Sequence, residues 1–343
     1  MLKVQSIKIT HKRYCDTIYK RTGVNYYWSV DNSLEVLSKL NNIHELTSVH
    51  SYDFSTLYTN LPLDLVFSEL CFIIDLHFDR FNKGGNHYIN VNAYFESASL
   101  SSTPKGSIYF DRTKLKNSLK FLLFNTYIKF GPYIFKQILG IPMGGNVSPL
   151  ITDLFLLSLE YKFVRDLVDS SKKNNLPDKL ALAKALSNNS RYIDDILVCN
   201  FKKFDEVAKL IYPNSIPLTQ GNTNDYQENF LDININVDND KCILKVYHKV
   251  DEFNFNVTSF PFPCSNIENN ITYNCFYSQL VRFCNISTKV EDFRARAVAL
   301  YRLLVGRGFD GRKLTHKFNQ FKVNYCDCVL KFDLNRLNQG FLN

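Results

Sequence analysis

Apolar and polar positions in the first part of the chain predict a short strand followed by an amphipathic helix. Residues 45–53 mix the two kinds of position and end at Asp53, which predicts a strand with Asp53 at its carboxyl end. A helix should begin after Pro62, because apolar positions then recur at helical spacing on one face. That face contains Val66, Leu70, Ile73 and His77.

The central part of the chain predicts an insertion, a helix, a hairpin and a second helix. Residues 82–106 are rich in Asn, Gly and Ser, which is typical of a surface insertion without chemistry. A helix near 112–126 and a hairpin that turns on Gly131-Pro132 should follow. The glycine-rich segment 140–145 predicts a loop before Ser148-Pro149, an N-cap followed by proline at the first helical position.

The second half of the chain predicts two hairpins and then a helical lobe. Residues 191–199 place Asp194 and Asp195 between β-branched and apolar neighbours, the pattern of a hairpin with carboxylates at its tip. A helix near 202–211 precedes a second hairpin at 230–250, which turns at 238–240. Beyond residue 260 the patterns are helical, near 273–285, 289–305 and 311–322. Together these elements predict an α+β fold.

Composition favours a nucleic-acid partner without requiring one. The 343 residues carry a formal charge of +8 with 20 Tyr and 28 Phe, which suits a surface that neutralises phosphates and stacks on bases. An AT-rich coding sequence explains the same composition equally well. The nine Cys show no zinc-site spacing. The absence of an apolar leader or membrane-length segment predicts an intracellular protein, nuclear or cytoplasmic, without membrane contact.

Two adjacent aspartates in an apolar setting are the main chemical signal. Burial of neighbouring carboxylates costs several kcal/mol and raises the pKa of at least one of them unless a cation compensates. Magnesium prefers oxygen ligands, and a two-metal site needs a third carboxylate, for which Asp53 is the natural candidate. An Asp-Asp pair alone fits an exposed turn as well as a metal site.

Three sequence segments, in the same order as in a known protein family, favour the metal site over the exposed turn. YDFSTLYTNLP at 52–62 resembles motif A of the reverse transcriptases of Penelope-like elements, within the right-hand polymerase family that includes telomerase. GIPMGGNVSP at 140–149 resembles motif B, and RYIDD at 191–195 resembles motif C. The resemblance extends over residues 25–325.

The resemblance implies an RNA-directed DNA polymerase and assigns roles to particular residues. Asp53, Asp194 and Asp195 would be the catalytic residues that bind two Mg²⁺ ions, or Mn²⁺ in their place. Tyr58 would be the sugar gate, whose ring excludes a 2'-hydroxyl, although a core aromatic residue fits the same position. The nucleotide-binding residues would be Phe54, Tyr58, Met143 and Gly144, and the nucleic-acid-binding residues would be Tyr192, Arg282, Arg312 and Lys313. The partners would be an RNA template, a DNA primer or RNA–DNA duplex, and dNTPs.

The family also implies a domain arrangement. Residues 1–45 would be partial fingers, 46–260 a palm of antiparallel sheet with packed helices, and 261–343 an α-helical thumb. The hairpin after residue 228 would grip the primer, with Asp232 in a structural role. Lysines that act as general acids in pyrophosphate release follow motif C in this family. Lys209 is the best placed candidate here, but it does not align clearly with them.

The segment before motif A departs from the family. Only 52 residues precede Asp53, and no basic residue among them matches those that contact the triphosphate, which predicts truncated fingers and a fragment of a longer reading frame. The alternative is a decayed or domesticated remnant that only binds nucleic acid. An RNA-dependent RNA polymerase is a third interpretation, which Tyr58 disfavours because a small residue there would suit ribonucleotides.

Overall fold

A computed structural model describes residues 1–80, 87–92, 97–106, 108–221, 224–255 and 257–325. These residues form a mixed helical and sheet protein with antiparallel strand pairs. The helices are α1 (Leu2–Thr22), α2 (Ser33–Asn41), α3 (Leu57–Asn60), α4 (Leu63–Asp79), α5 (Arg112–Phe124), α6 (Ser148–Asn174), α7 (Pro177–Ala185), α8 (Phe204–Ile211), α9 (Asn269–Ile286), α10 (Val290–Gly306) and α11 (Gly311–Asn324). The strands are β1 (Val49–Phe54), β2 (Tyr88–Asn92), β3 (Ser97–Ser101), β4 (Tyr109–Phe110), β5 (Tyr127–Phe130), β6 (Tyr133–Lys136), β7 (Ser190–Tyr192), β8 (Asp195–Cys199), β9 (Leu218–Gln220), β10 (Gln227–Phe230), β11 (Ile233–Asp238) and β12 (Lys241–Val246).

The chain divides into two compact units. Unit 1 consists of Met1–Asp31 and His50–Thr223, and unit 2 of Asn32–Val49 and Asn224–Asn343. The hairpin of β11 and β12, which the sequence assigns to the palm, therefore belongs to the same unit as the C-terminal helices. The division into fingers, palm and thumb remains a prediction.

Unit 1 is built around a four-stranded sheet in the order β7-β8-β1-β9. Side chains alternate between the two faces of a strand, so Tyr52 and Phe54 of β1 are buried while Asp53 is exposed on the other face. Helix α6 is enclosed on all sides in its first half, where Leu154, Phe155, Leu156 and Leu157 are fully buried. The sheet and α6 together form the frame of the candidate site.

Most of the predicted elements of unit 1 are confirmed. Helix α4 begins directly after Pro62, and the four residues of its predicted face are all buried. The hairpin on Gly131-Pro132 is the β5–β6 pair, and the hairpin with two aspartates is the β7–β8 pair. Helix α6 starts where predicted, but Ser148 is its first residue, Val147 is the cap position, and no side chain caps the helix.

The segment predicted as a surface insertion at 82–106 contains regular strands in its described residues, which the sequence did not predict. Strands β2, β3 and β4 form a sheet in the order β3-β2-β4, and Ile89 and Ala98 are buried in it. Helix α1 packs against β2 and β3, and Arg13 donates a hydrogen bond to the carbonyl of Ala98. Polar strands of this kind depend on a cover supplied by a distant helix, which local composition does not reveal. Residues 81–86, 93–96 and 107 lie outside the described part.

Unit 2 combines the antiparallel sheet β10-β11-β12 with α2 and with three C-terminal helices, α9, α10 and α11, which confirm the helical patterns predicted beyond residue 260. Its core is aromatic, and Phe276, Phe293 and Phe321 are fully buried. Asp232 accepts hydrogen bonds from Ser33 and Arg282, in agreement with its predicted structural role. None of the helices in the described ranges has the length and apolar character needed to cross a membrane.

Candidate active site

Asp194 lies at the tip of a two-residue hairpin. Tyr192 of β7 pairs directly with Asp195 of β8, so Ile193 and Asp194 form the whole turn. Ile193 has a φ of 56°, a left-handed conformation that is unfavourable for a β-branched residue. Such a residue costs about 1–3 kcal/mol and persists only when its surroundings hold it. The turn that presents Asp194 is therefore strained and needs support.

That support comes from a buried arginine directly before the turn. Arg191 Nη1 donates a hydrogen bond to the carbonyl of Ile193 at 2.9 Å. The same guanidinium binds Asp153 at 2.8 Å and Glu160 at 2.5 Å. Its side chain is 0% exposed, and both carboxylates come from α6. Arg191 thus connects the strained turn to the central helix of unit 1.

The charged groups in this network are buried away from water and are stabilised by neighbours of opposite charge. Burial alone would lower the pKa of Arg191, but the attraction of Glu160 and Asp153 raises it. Burial tends to raise the pKa of Asp153, but Arg191 and Lys8 outweigh it and hold the pKa below its ordinary value. Burial raises the pKa of Glu160 because Arg191 offsets it only in part, although Tyr212 also donates to that carboxylate at 2.9 Å. Removal of one member would leave a buried charge without its partner, which is strongly destabilising.

Asp53 and Asp194 approach each other across neighbouring strands. Strand β1 lies next to β8 in the sheet, and Asp53 pairs with Thr219 on its other side. The pKa of Asp53 is raised by partial burial and by the negative charge of Asp194. The carboxylates of Asp53, which is exposed, and Asp194, which is half-buried, repel each other and form a site of negative potential, which favours a cation.

Asp195 is the first residue of β8 and is half-buried. Among the residues that the structure describes, no group of three or more His, Cys, Asp or Glu side chains is arranged to hold a metal ion. The predicted set of three carboxylates therefore is not preassembled, although Asp53 and Asp194 interact electrostatically.

Tyr58 in α3 lies near Asp194. Burial and the charge of Asp194 raise the pKa of Tyr58, and Thr152 is close enough to oppose the shift by hydrogen bonding. The phenol therefore stays protonated at neutral pH. Tyr58 is partly buried and packs against the core of unit 1.

Gly140, rather than Gly144, is the glycine that the fold requires in the loop before α6. Gly140 has a φ of +77°, and a Cβ there would lie 2.6 Å from the carbonyl oxygen of Tyr58. Its backbone N–H donates to Leu61, and the next residue, Ile141, donates to Tyr58 at 2.7 Å. Gly144 has open space around its Cα, and Met143 is 73% exposed. The predicted nucleotide contacts of these two residues remain predictions.

Phe54 and Tyr192 differ in their access to a ligand. The Phe54 side chain is buried in edge-on contact with Tyr212, with ring centroids 4.9 Å apart. This packing leaves only the Phe54 backbone for a nucleotide contact, because the ring is in the core. Tyr192 is half-buried at the end of β7 and keeps an accessible surface.

The basic residues of unit 2 fall into two groups. Arg282 is occupied by Asp232, Gln279 and the carbonyl of Tyr247, so it stabilises the unit and has few donors left for phosphate. Arg312 and Lys313 are exposed at the start of α11. They line a cavity of about 420 Å³ with Asn269, Tyr273, His316 and Lys317. Of the predicted nucleic-acid-binding residues in this unit, Arg312 and Lys313 are the accessible ones.

Sequence reasoning missed the roles of Arg191, Asp153 and Glu160. The signal was present, since Asp153 and Glu160 interrupt the apolar run of the helix, and an arginine precedes the aspartates in an apolar strand. Buried charges in such positions require partners of opposite charge. The pairing itself depends on the packing of α6 against the sheet.

Comparison with known proteins gives a fold but no family. No protein-family model and no curated protein matches the chain. The telomerase of Candida albicans, solved in complex with the TWJ fragment of telomeric RNA, superimposes with a TM-score of 0.56 at 14% identity, over 96% of this chain and 52% of that one. Apo telomerase from Candida tropicalis aligns with a TM-score of 0.45 at 13% identity, over 93% and 51%. The chain spans about half the length of these telomerases and shares the fold of the first.

Proposed function

We propose that this chain is the polymerase part of a reverse transcriptase, an RNA-directed DNA polymerase from a Penelope-like retroelement. The observation that carries the proposal is the electrostatic interaction of Asp53 with Asp194, two residues far apart in the sequence that lie at the ends of the two inner strands of one sheet, β1 and β8. The telomerase-like fold supports the same conclusion, because telomerase is a reverse-transcriptase-related enzyme. Penelope-like origin rests on the three motif strings alone.

The carboxylates fit divalent cations. Asp53 and Asp194 supply oxygen ligands, and a cation would relieve the repulsion that raises the pKa of Asp53. Magnesium commonly binds one or two carboxylates together with substrate phosphates, so a preassembled set of three ligands is not needed. Asp53 and Asp194 would hold the ions, and Asp195 would complete the site. Bound ions would supply activation of the primer 3'-hydroxyl and stabilisation of the pyrophosphate leaving group.

The surrounding residues position the reacting groups and select the nucleotide. Arg191 holds the turn that carries Asp194, because it binds the Ile193 carbonyl while its own position is determined by α6. Tyr58 stays neutral, and its bulky ring lies near Asp194. A ring under the incoming sugar would clash with a 2'-hydroxyl, which favours deoxynucleotides.

Exposed basic residues of unit 2 would contact the duplex. Arg312 and Lys313 lie beside the cavity at α11 and would bind phosphates of a template–primer duplex. Arg282 would act indirectly by holding the hairpin that contains Asp232. We therefore expect Lys313→Gln to weaken binding of an RNA–DNA duplex and reduce its salt dependence.

Primer extension tests the enzymatic proposal directly. The chain should extend a DNA primer on an RNA template with dNTPs and Mg²⁺ or Mn²⁺, and Asp194→Asn should reduce incorporation to background. Asp178→Asn, an exposed carboxylate at the start of α7, is the matched control and should keep full activity. Tyr58→Ala should raise incorporation of ribonucleotides relative to deoxynucleotides. A folded chain that incorporates nothing with either metal would refute the proposal.

A nucleic-acid-binding remnant is the second candidate. It is favoured by the exposed Arg312 and Lys313, which could bind phosphates whether or not the carboxylates hold a metal ion. It predicts salt-dependent RNA or DNA binding that is unchanged in Asp53→Asn and Asp194→Asn, without extension by the wild-type chain. Extension that depends on Asp194 would exclude it.

A further inference from the structure

An exposed two-stranded ribbon precedes the loop that packs on Tyr58. It consists of β5 and β6, and all eight of its strand residues are exposed. Six of the eight are aromatic or apolar, including Phe130 at 78%, Ile134 at 70% and Tyr133 at 66% exposure. Exposed apolar surface of this extent usually marks an interaction site.

The register of the ribbon separates two faces of different chemistry. Directly paired residues share a face, and neighbours along a strand alternate. The aromatic face therefore contains the pairs Ile128–Phe135 and Phe130–Tyr133. The lysine face contains the pairs Tyr127–Lys136 and Lys129–Ile134. The rings of Tyr133 and Phe135 have centroids 6.4 Å apart, as expected for side chains on one face.

The base of the ribbon is tied to the candidate active site. Gln137 donates a backbone hydrogen bond to Thr126 at 2.9 Å and closes the hairpin. Gly140 and Ile141 then bond to the backbone of Leu61 and Tyr58. The aromatic face is thus connected within unit 1 to the segment that carries the proposed sugar gate.

The charge around the ribbon selects a polyanionic partner. Residues 112–152 contain six Lys or Arg and no Asp or Glu, and three of the six, Arg112, Lys114 and Lys116, pair with aspartates outside this range. Lys120, Lys129 and Lys136 are exposed, and they form no ion pair with any residue in the described ranges. A second copy of this chain would bring an equally positive ribbon, so self-association through this face is opposed by charge repulsion.

Among polyanions, single-stranded nucleic acid fits both faces. Unpaired bases present flat apolar surfaces that stack on exposed aromatic rings, whereas the bases of a duplex are stacked on each other. The two strands of a ribbon lie about 4.8 Å apart, so lysines on the opposite face can extend around its edges to the phosphates. We infer that the β5–β6 ribbon binds single-stranded nucleic acid, with unpaired bases stacked on Phe130, Tyr133 and Phe135. This inference rests on the proposed function in one respect, since the unpaired strand would be the template.

Fluorescence anisotropy with a labelled oligo(dT) and a labelled oligo(U) tests the inference without metal or dNTPs. Phe130→Ala/Tyr133→Ala should weaken binding at least about fivefold for each ring removed. Ile138→Ala/Leu210→Ala removes side chains outside the ribbon that are 82% and 72% exposed without removing a ring, and should bind as the wild type does. Lys129→Gln should reduce the salt slope of log affinity by about 0.7.

The outcomes separate this inference from the proposed function. Unchanged oligonucleotide binding by Phe130→Ala/Tyr133→Ala would overturn the inference, even if the wild type extends primers. A ring variant that instead changes only the molar mass in light scattering would also overturn it, in favour of self-association. Weakened binding in the ring variant, equally seen in an Asp194→Asn background, would support the inference even if no chain incorporates nucleotides. Equal weakening of a blunt duplex would overturn the stacking assignment.

Discussion

Removal of the Arg191 side chain should destabilise unit 1 more than any exposed charge substitution. Arg191→Met keeps most of the side-chain length but leaves Asp153 and Glu160, which are 4% and 0% exposed, without their main counter-charge. Breaking a buried ion pair in this way costs about 3–5 kcal/mol. This is a large fraction of the roughly 5–15 kcal/mol that stabilises a typical folded protein.

The single tryptophan provides the assay. Trp28 is fully buried in unit 1, and its carbonyl accepts the backbone N–H of Arg191 at 2.9 Å. Its fluorescence during urea denaturation therefore reports the unfolding of the unit that contains the network. Arg165→Met is the control, because its ion pair with Asp166 is open to solvent and worth at most about 1 kcal/mol.

A second substitution identifies the cause of the loss. If uncompensated charge is responsible, Arg191→Met/Glu160→Gln should recover part of the stability lost in Arg191→Met, because only one buried carboxylate then lacks its partner. If lost packing is responsible, the second substitution should lower the free energy of unfolding further. A loss in Arg191→Met no larger than that in Arg165→Met would refute the reasoning about the network.

Three other perturbations test separate parts of unit 1. His11 and His77 are buried 3.1 Å apart; burial lowers the pKa of His77 to about 3 and that of His11 well below its ordinary value. The unfolded chain therefore binds protons below about pH 6.5 that the folded chain does not. As the pH falls below about 6.5, the free energy of unfolding should therefore decrease by up to about 1.4 kcal/mol per pH unit for each histidine. The dependence of this free energy on pH should be weaker in His77→Gln, and an unchanged pH dependence would contradict the reasoning. Gly140→Ala should cost more than about 1 kcal/mol in urea denaturation, whereas Gly144→Ala, which has open space, should stay within about 0.5 kcal/mol. Asp53→Asn should raise the melting temperature of the metal-free chain at neutral pH, because an Asp with a raised pKa is destabilising when ionised, and Mg²⁺ should raise that of the wild type only.

Local patterns predicted most of the helices and hairpins of this protein. The face of α4 and the turns of the β5–β6 and β7–β8 hairpins follow from apolar periodicity and turn residues, which are properties of neighbouring residues. The polar strands β2 and β3 were missed because their apolar cover comes from α1, which no local pattern connects to them. The buried ring of Phe54 was missed for the same reason, since its neighbour Tyr212 is distant in the sequence.

The sequence by itself determined which residues could carry chemistry: an aspartate at the end of a strand, two more at a hairpin tip, and an aromatic residue shortly after the first. Only the tertiary structure decided that Asp53 and Asp194 repel each other. Only the tertiary structure also decided that Arg191, itself bound to α6, holds the turn that contains Asp194. The physical reason is that charge interactions depend on distance and burial, and both are set by packing between segments that the chain brings together only when it folds.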